Sequence, residues 1–128
     1  MSKGVSKHRM TGLTLLELMV VIGIIAVLSA ISIPLYTGYI QTSREGVLMN
    51  NIATLEIFQE DFRLRTGAYL LVAADITAID NAIGWNPEVA DGTTYVIADG
   101  GGGSYDVTAT DAAGVVICRR MPQKVACP

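Results

Sequence analysis

Glu17 raises the first chemical question in this sequence, because it sits at the edge of an apolar stretch with no cation near it on its C-terminal side. From Leu18 to Gln41 no residue carries a charge, and Leu18 to Tyr36 is apolar apart from Ser29, Ser32 and the small Gly23. A carboxylate within a membrane helix costs about 3 kcal/mol near the bilayer centre and less toward its edge. Such a group needs a partner. If the chain is cut after Gly12, the new amino group of Leu13 places a positive charge four residues before Glu17, one helical turn away on the same face. Glu17 then also lies in the first turn, where the helix dipole favours an anion.

The other reactive residue types point away from catalysis. His8 is the only histidine, and a cut after Gly12 removes it, leaving no imidazole for acid-base work or metal binding. Asp75, Asp80, Glu88 and Asp91 carry enough charge for a calcium ion, but they lack the regular ligand spacing of a loop site and read as a solvated face. No cofactor or metal is expected. Cys118 and Cys127 are the two cysteines, and they could form one disulfide in an oxidising compartment, the alternative being two free thiols. Arg119, Arg120 and Lys124 lie between them. Without residues 1–12 the chain has six basic against twelve acidic residues, a balance unsuited to general phosphate binding, so this basic loop is the exception.

These residues must be positioned by an anchor and a small folded body. The apolar run spans ~30 Å as a helix, which matches a bilayer core. Lys3, Lys7 and Arg9 precede it, so its N-terminus is expected on the cytoplasmic side and the rest of the chain on the exported side. A conventional secretory signal would end in a small-x-small site. Leu28-Ser29-Ala30 is the nearby candidate and Leu28 fits it poorly. No cysteine near the run supports a lipoprotein signal.

The stretch Thr11-Gly12-Leu13-Thr14-Leu15-Leu16-Glu17-Leu18, behind a short basic leader, resembles the type IV prepilin (class III) signal of the type IV pilin family. The resemblance implies that a membrane aspartyl peptidase cuts after Gly12 and that Leu13 becomes the N-methylated terminus, although the family more often has Phe or Met there. It further implies that Glu17 pairs with a neighbouring subunit's amino terminus during assembly. Residues 1–12 are then a leader, 13–40 a transmembrane and assembly helix, and 41–128 an exported head domain. The implied partners are other pilin subunits, the prepilin peptidase, the inner-membrane assembly machinery and, before assembly, the membrane itself. The implied location is the inner membrane first and an extracellular pilus afterwards, with a structural rather than enzymatic role. The short domain points to a minor pilin. The alternatives are a type II secretion pseudopilin and a monomeric single-span protein with a periplasmic domain.

The expected fold is α+β. Beyond Pro34, where a kink is expected, apolar residues at Leu48, Ile52, Leu55, Phe58 and Phe62 recur at helical spacing. The helix should end at Gly67, with Arg63 and Arg65 against its dipole. A loop follows, with a short helix around Asp75 to Ala82 and Trp85 as an anchor. Thr93 to Ala98, Ser104 to Thr110 and Gly114 to Arg119 read as strands joined by turns at Asp99 to Gly103 and Asp111 to Gly114, pairing as antiparallel hairpins. The family implies that this small sheet packs on the second half of the long helix and that a Cys118–Cys127 disulfide closes a C-terminal loop. That loop would gather Arg119, Arg120 and Lys124 for contact with a neighbouring subunit, or, as the less favoured reading, with DNA.

Overall fold

A computed structural model describes residues 12–88 and 92–128. The basic leader residues Lys3, Lys7 and Arg9, together with His8 and Asp91, lie outside the described residues. Helix α1 (Leu15–Thr66) is followed by α2 (Ile76–Ile83), β1 (Thr94–Gly101), β2 (Ser104–Thr110), β3 (Val116–Met121) and β4 (Val125–Ala126). Two compact units divide the chain, the first ending at Gly38 and the second beginning at Tyr39. Each contains part of α1.

In the first unit the helix keeps its apolar side chains exposed, from Leu15 and Leu16 through Ile31 to Leu35 and Tyr36. The helix continues through Pro34, although proline has no N–H to offer the Ala30 carbonyl. Nearby hydroxyls bond back to the helix backbone, Ser32 Oγ donating to the Leu28 carbonyl and Thr37 Oγ1 to that of Pro34.

The second unit folds around one core. Leu48, Ile52, Leu55 and Gln59 of α1 are buried, a spacing of four, three and four that keeps one face inward. Phe58, expected in the core, is 39% exposed, and the polar Gln59 occupies the inward position instead. One residue is about 100° around a helix, so the slot after Leu55 belongs to position 59. Gln59 is tolerated there because both ends of its amide are bonded to the backbone of Leu70. Arg63 and Arg65 stand in the last turn, and Gly67 follows at φ 89°, its N–H reaching the Arg63 carbonyl.

Helix α2 starts one residue later than expected. Asp75 is its N-cap, accepting from the Ala78 N–H, and Gly84 its left-handed C-cap. Trp85, just beyond, is buried edge-on against Tyr95 and donates its indole N–H to Thr54 Oγ1.

The sheet is an antiparallel meander in the order β1-β2-β3-β4. Tyr95 and Ile97 pair with Ala109 and Val107, and all four are buried with Tyr105 and Met121. β1 runs through Gly101 with a bulge after Asp99, so the glycine-rich turn is confined to Gly102 and Gly103. β3 starts two residues later than expected because Asp111 to Val115 form the turn. There the Asp111 carboxylate accepts the N–H groups of Ala113 and Val115. β4 is a two-residue strand that periodicity does not reveal. It pairs Arg119 with Ala126 and Arg120 with Val125, and the Cys118–Cys127 disulfide closes this edge.

Candidate processing and assembly site

Gly12, Leu13 and Thr14 precede the helix and are not helical. What starts the helix is a reciprocal cap between Thr14 and Glu17. The Glu17 N–H donates to Thr14 Oγ1 at 3.1 Å, and Glu17 Oε2 accepts from the Thr14 N–H at 3.1 Å and from the Thr14 hydroxyl at 3.2 Å. This is a capping box, in which two N-terminal donors are satisfied by the pair. Glu17 is therefore not a bare carboxylate at the head of an apolar helix. Sequence reasoning that weighs Glu17 against the amino group of Leu13 and the helix dipole misses Thr14, although Thr-x-x-Glu before an apolar run is itself the signature of this cap.

Leu13, Leu15 and Leu16 surround the cap and are more than 70% exposed. Among the described residues, α1 is long and apolar enough to cross a membrane, with a mean hydropathy of 2.7 over an 18-residue window of which none is buried. Gly23 has open space around its α-carbon, where the backbone of a neighbouring helix could come close.

At the other end of the chain the three loop cations do not share one surface. Successive residues of a strand face opposite sides of the sheet. Arg120 lies directly across from Asp106 and makes a two-pronged ion pair with it, both bonds 2.8 Å. Arg119 pairs in register with the buried Val107, on the face toward α1, and its Nε reaches Met49 Sδ at 3.4 Å. Lys124, at φ 60°, pairs with Glu56 of α1 at 3.0 Å. Arg119 and Lys124 thus rim one groove of about 280 Å³ floored by Met49, Ile52, Ala53 and Met121, while Arg120 is turned away from it.

Several acids among the described residues have structural partners. Asp75 caps α2, Asp80 accepts from Asn86, and Asp111 pairs with Arg44 at 3.0 Å. The Asp111 carboxyl is held below the usual range chiefly by the Val115 N–H, with Arg44 and the Ala113 N–H acting in the same direction. Asp106 is lowered by the Arg120 guanidinium. Glu60 is lowered by the Tyr69 hydroxyl first and by Arg63 second. Among the described residues no group of three or more His, Cys, Asp or Glu side chains is placed to hold a metal ion.

Comparison with known proteins bears on the N-terminal segment. Residues 7–33 match the family model described as the prokaryotic N-terminal methylation motif. Over 30 residues the chain is 70% identical to the prepilin peptidase-dependent protein D of Escherichia coli (strain K12), a stretch covering 23% of this chain and 20% of that protein. The chain thus matches about a fifth of the length of this curated relative. No solved structure matches the chain. The Thr14–Glu17 cap and the exposed apolar helix behind it lie within the matched segment, and the chain carries an N-terminal methylation motif similar to that of a prepilin peptidase-dependent protein.

Proposed function

We propose that the chain is a structural subunit of a type IV pilus. It is cut after Gly12, N-methylated on Leu13, and polymerised through its N-terminal helix. The observation that carries this reading is the methylation motif at residues 7–33, whose part in α1, from Leu15 onward, keeps its large apolar side chains exposed. In the membrane, lipid covers that surface; in a filament, neighbouring helices must. At ~25 cal/mol per Å² the burial is worth tens of kcal/mol before ordering costs, enough for one segment to serve first as anchor and then as filament core. Glu17 pairs with the amino terminus of a neighbour and so selects the filament over a permanent membrane anchor. Pro34 bends the helix where it leaves the membrane.

Residues 1–12 are the leader, 13–40 the membrane and assembly segment, and 41–128 the exported head. The prepilin peptidase, the inner-membrane assembly machinery and other pilin subunits are its partners. The chain performs no catalysis. The Cys118–Cys127 disulfide favours a pilus over a secretion pseudopilus, since it resembles the C-terminal loop of pilins. The small head favours a minor subunit.

Gly12→Val tests the reading, because it adds bulk where the peptidase needs a bare backbone. The variant should remain full-length in the inner membrane and be absent from sheared pili. Normal processing and assembly of Gly12→Val would count against it.

A further inference from the structure

We infer that Thr14 is the positioning residue for Glu17, holding its carboxylate against the start of the helix before the subunit assembles. The inference rests on the proposed reading, in which the chain is cut before Leu13 and Glu17 pairs with a neighbour's amino group. Three hydrogen bonds join Thr14 and Glu17, and two of them use the Thr14 hydroxyl, once as acceptor from the Glu17 N–H and once as donor to Glu17 Oε2. Around this pair Leu13, Leu15, Leu16 and Leu18 are all exposed apolar residues, so among the described residues Thr14 is the side chain that offers the carboxylate a donor.

Two consequences follow from that geometry. In the membrane, the donors of Thr14 offset part of the cost of a charge beside lipid, and Glu17 can wait there without a cationic partner. The cap also fixes the direction of the side chain. A glutamate free of the cap samples several rotamers along the helix, whereas the capped one is folded back toward Thr14, the residue adjoining the nitrogen that becomes charged after cleavage. The carboxylate is then presented at the end of the helix where a neighbour's amino group would meet it.

The test uses the full chain in cells with the native assembly machinery, comparing wild type, Thr14→Val, Thr14→Ser, Glu17→Ala and the Thr14→Val/Glu17→Ala double variant. Intact mass reports cleavage, and the ratio of sheared filament to membrane pool reports assembly. Val keeps the branched shape and loses the hydroxyl. Thr14→Val should be cut after Gly12 as wild type is, yet its filament ratio should fall about five-fold, the change expected from loss of an N-cap. Thr14→Ser should restore the ratio, and Thr14→Val should add nothing once Glu17 is Ala, because the two residues act through one contact. Equal assembly of Thr14→Val and a processed wild type would overturn the inference alone, as would an undiminished effect of Thr14→Val in the Glu17→Ala background. A wild-type chain that is never cut before Leu13 would overturn both the inference and the reading beneath it.

Discussion

Gln59 and Leu70 exchange two hydrogen bonds, the Gln59 Nε2 donating to the Leu70 carbonyl and the Leu70 N–H donating to Gln59 Oε1, each at 2.9 Å. A fully buried side-chain amide thus stands in for a strand partner and ties the segment after α1 to the helix.

Gln59→Leu keeps the volume but leaves both backbone groups of Leu70 without their partner. The variant should lose about 2–4 kcal/mol of stability. Trp85 is the single tryptophan and is buried, so its fluorescence reports urea unfolding directly. A Gln59→Leu protein as stable as wild type would show that the amide is dispensable.

Acid should weaken the second unit. Asp111, Asp106 and Glu60 all have folded pKa values below their ordinary ones. The stability they contribute is complete above the unfolded carboxylate range, about pH 4, and is lost as pH falls through the lower folded values. Unfolding free energy should therefore be level between about pH 5 and 7 and drop below about pH 4. Asp111→Asn should flatten part of that acid limb; an unchanged limb would remove Asp111 from the account.

Arg119, Arg120 and Lys124 offer DNA less than their clustering in sequence implies. Arg120 is engaged by Asp106 and Lys124 by Glu56, so phosphate would have to compete with carboxylates already in place. A head fragment from about residue 41 and its Arg119→Gln/Arg120→Gln/Lys124→Gln variant should bind duplex DNA equally weakly at low and moderate salt. Salt-sensitive binding that the triple variant loses would assign the loop to DNA instead of a neighbouring subunit.

Where local chemistry and burial agree, the fold is legible from residue types. Ser104 to Thr110 reads as a strand and is one, because Tyr105, Val107 and Ala109 alternate inward while turn residues bound both ends. The end of α1 is equally plain from Arg63, Arg65 and Gly67. The core slot at position 59 is not, since hydrophobicity favours Phe58 and only the backbone of Leu70 explains a buried glutamine. β4 escapes for a related reason: two residues carry no periodicity, and the strand depends on a disulfide and on pairing with Arg119 and Arg120. The face on which each loop cation lies follows from strand register, which residue spacing alone leaves open when the strand's ends are uncertain. At the N-terminus the Gly12-to-Glu17 pattern is legible in full, and the Thr14 cap is legible too once Glu17 is weighed as a helix-starting residue as well as a charge.

The central claim is that Leu13 is the N-terminus of the mature subunit. Intact-mass measurement on chains recovered from sheared filaments tests it most directly. The account predicts a chain that begins at Leu13, carries one added methyl group on its terminal nitrogen and holds the Cys118–Cys127 disulfide. A mature chain beginning at Ile31, or an uncut one, would contradict it.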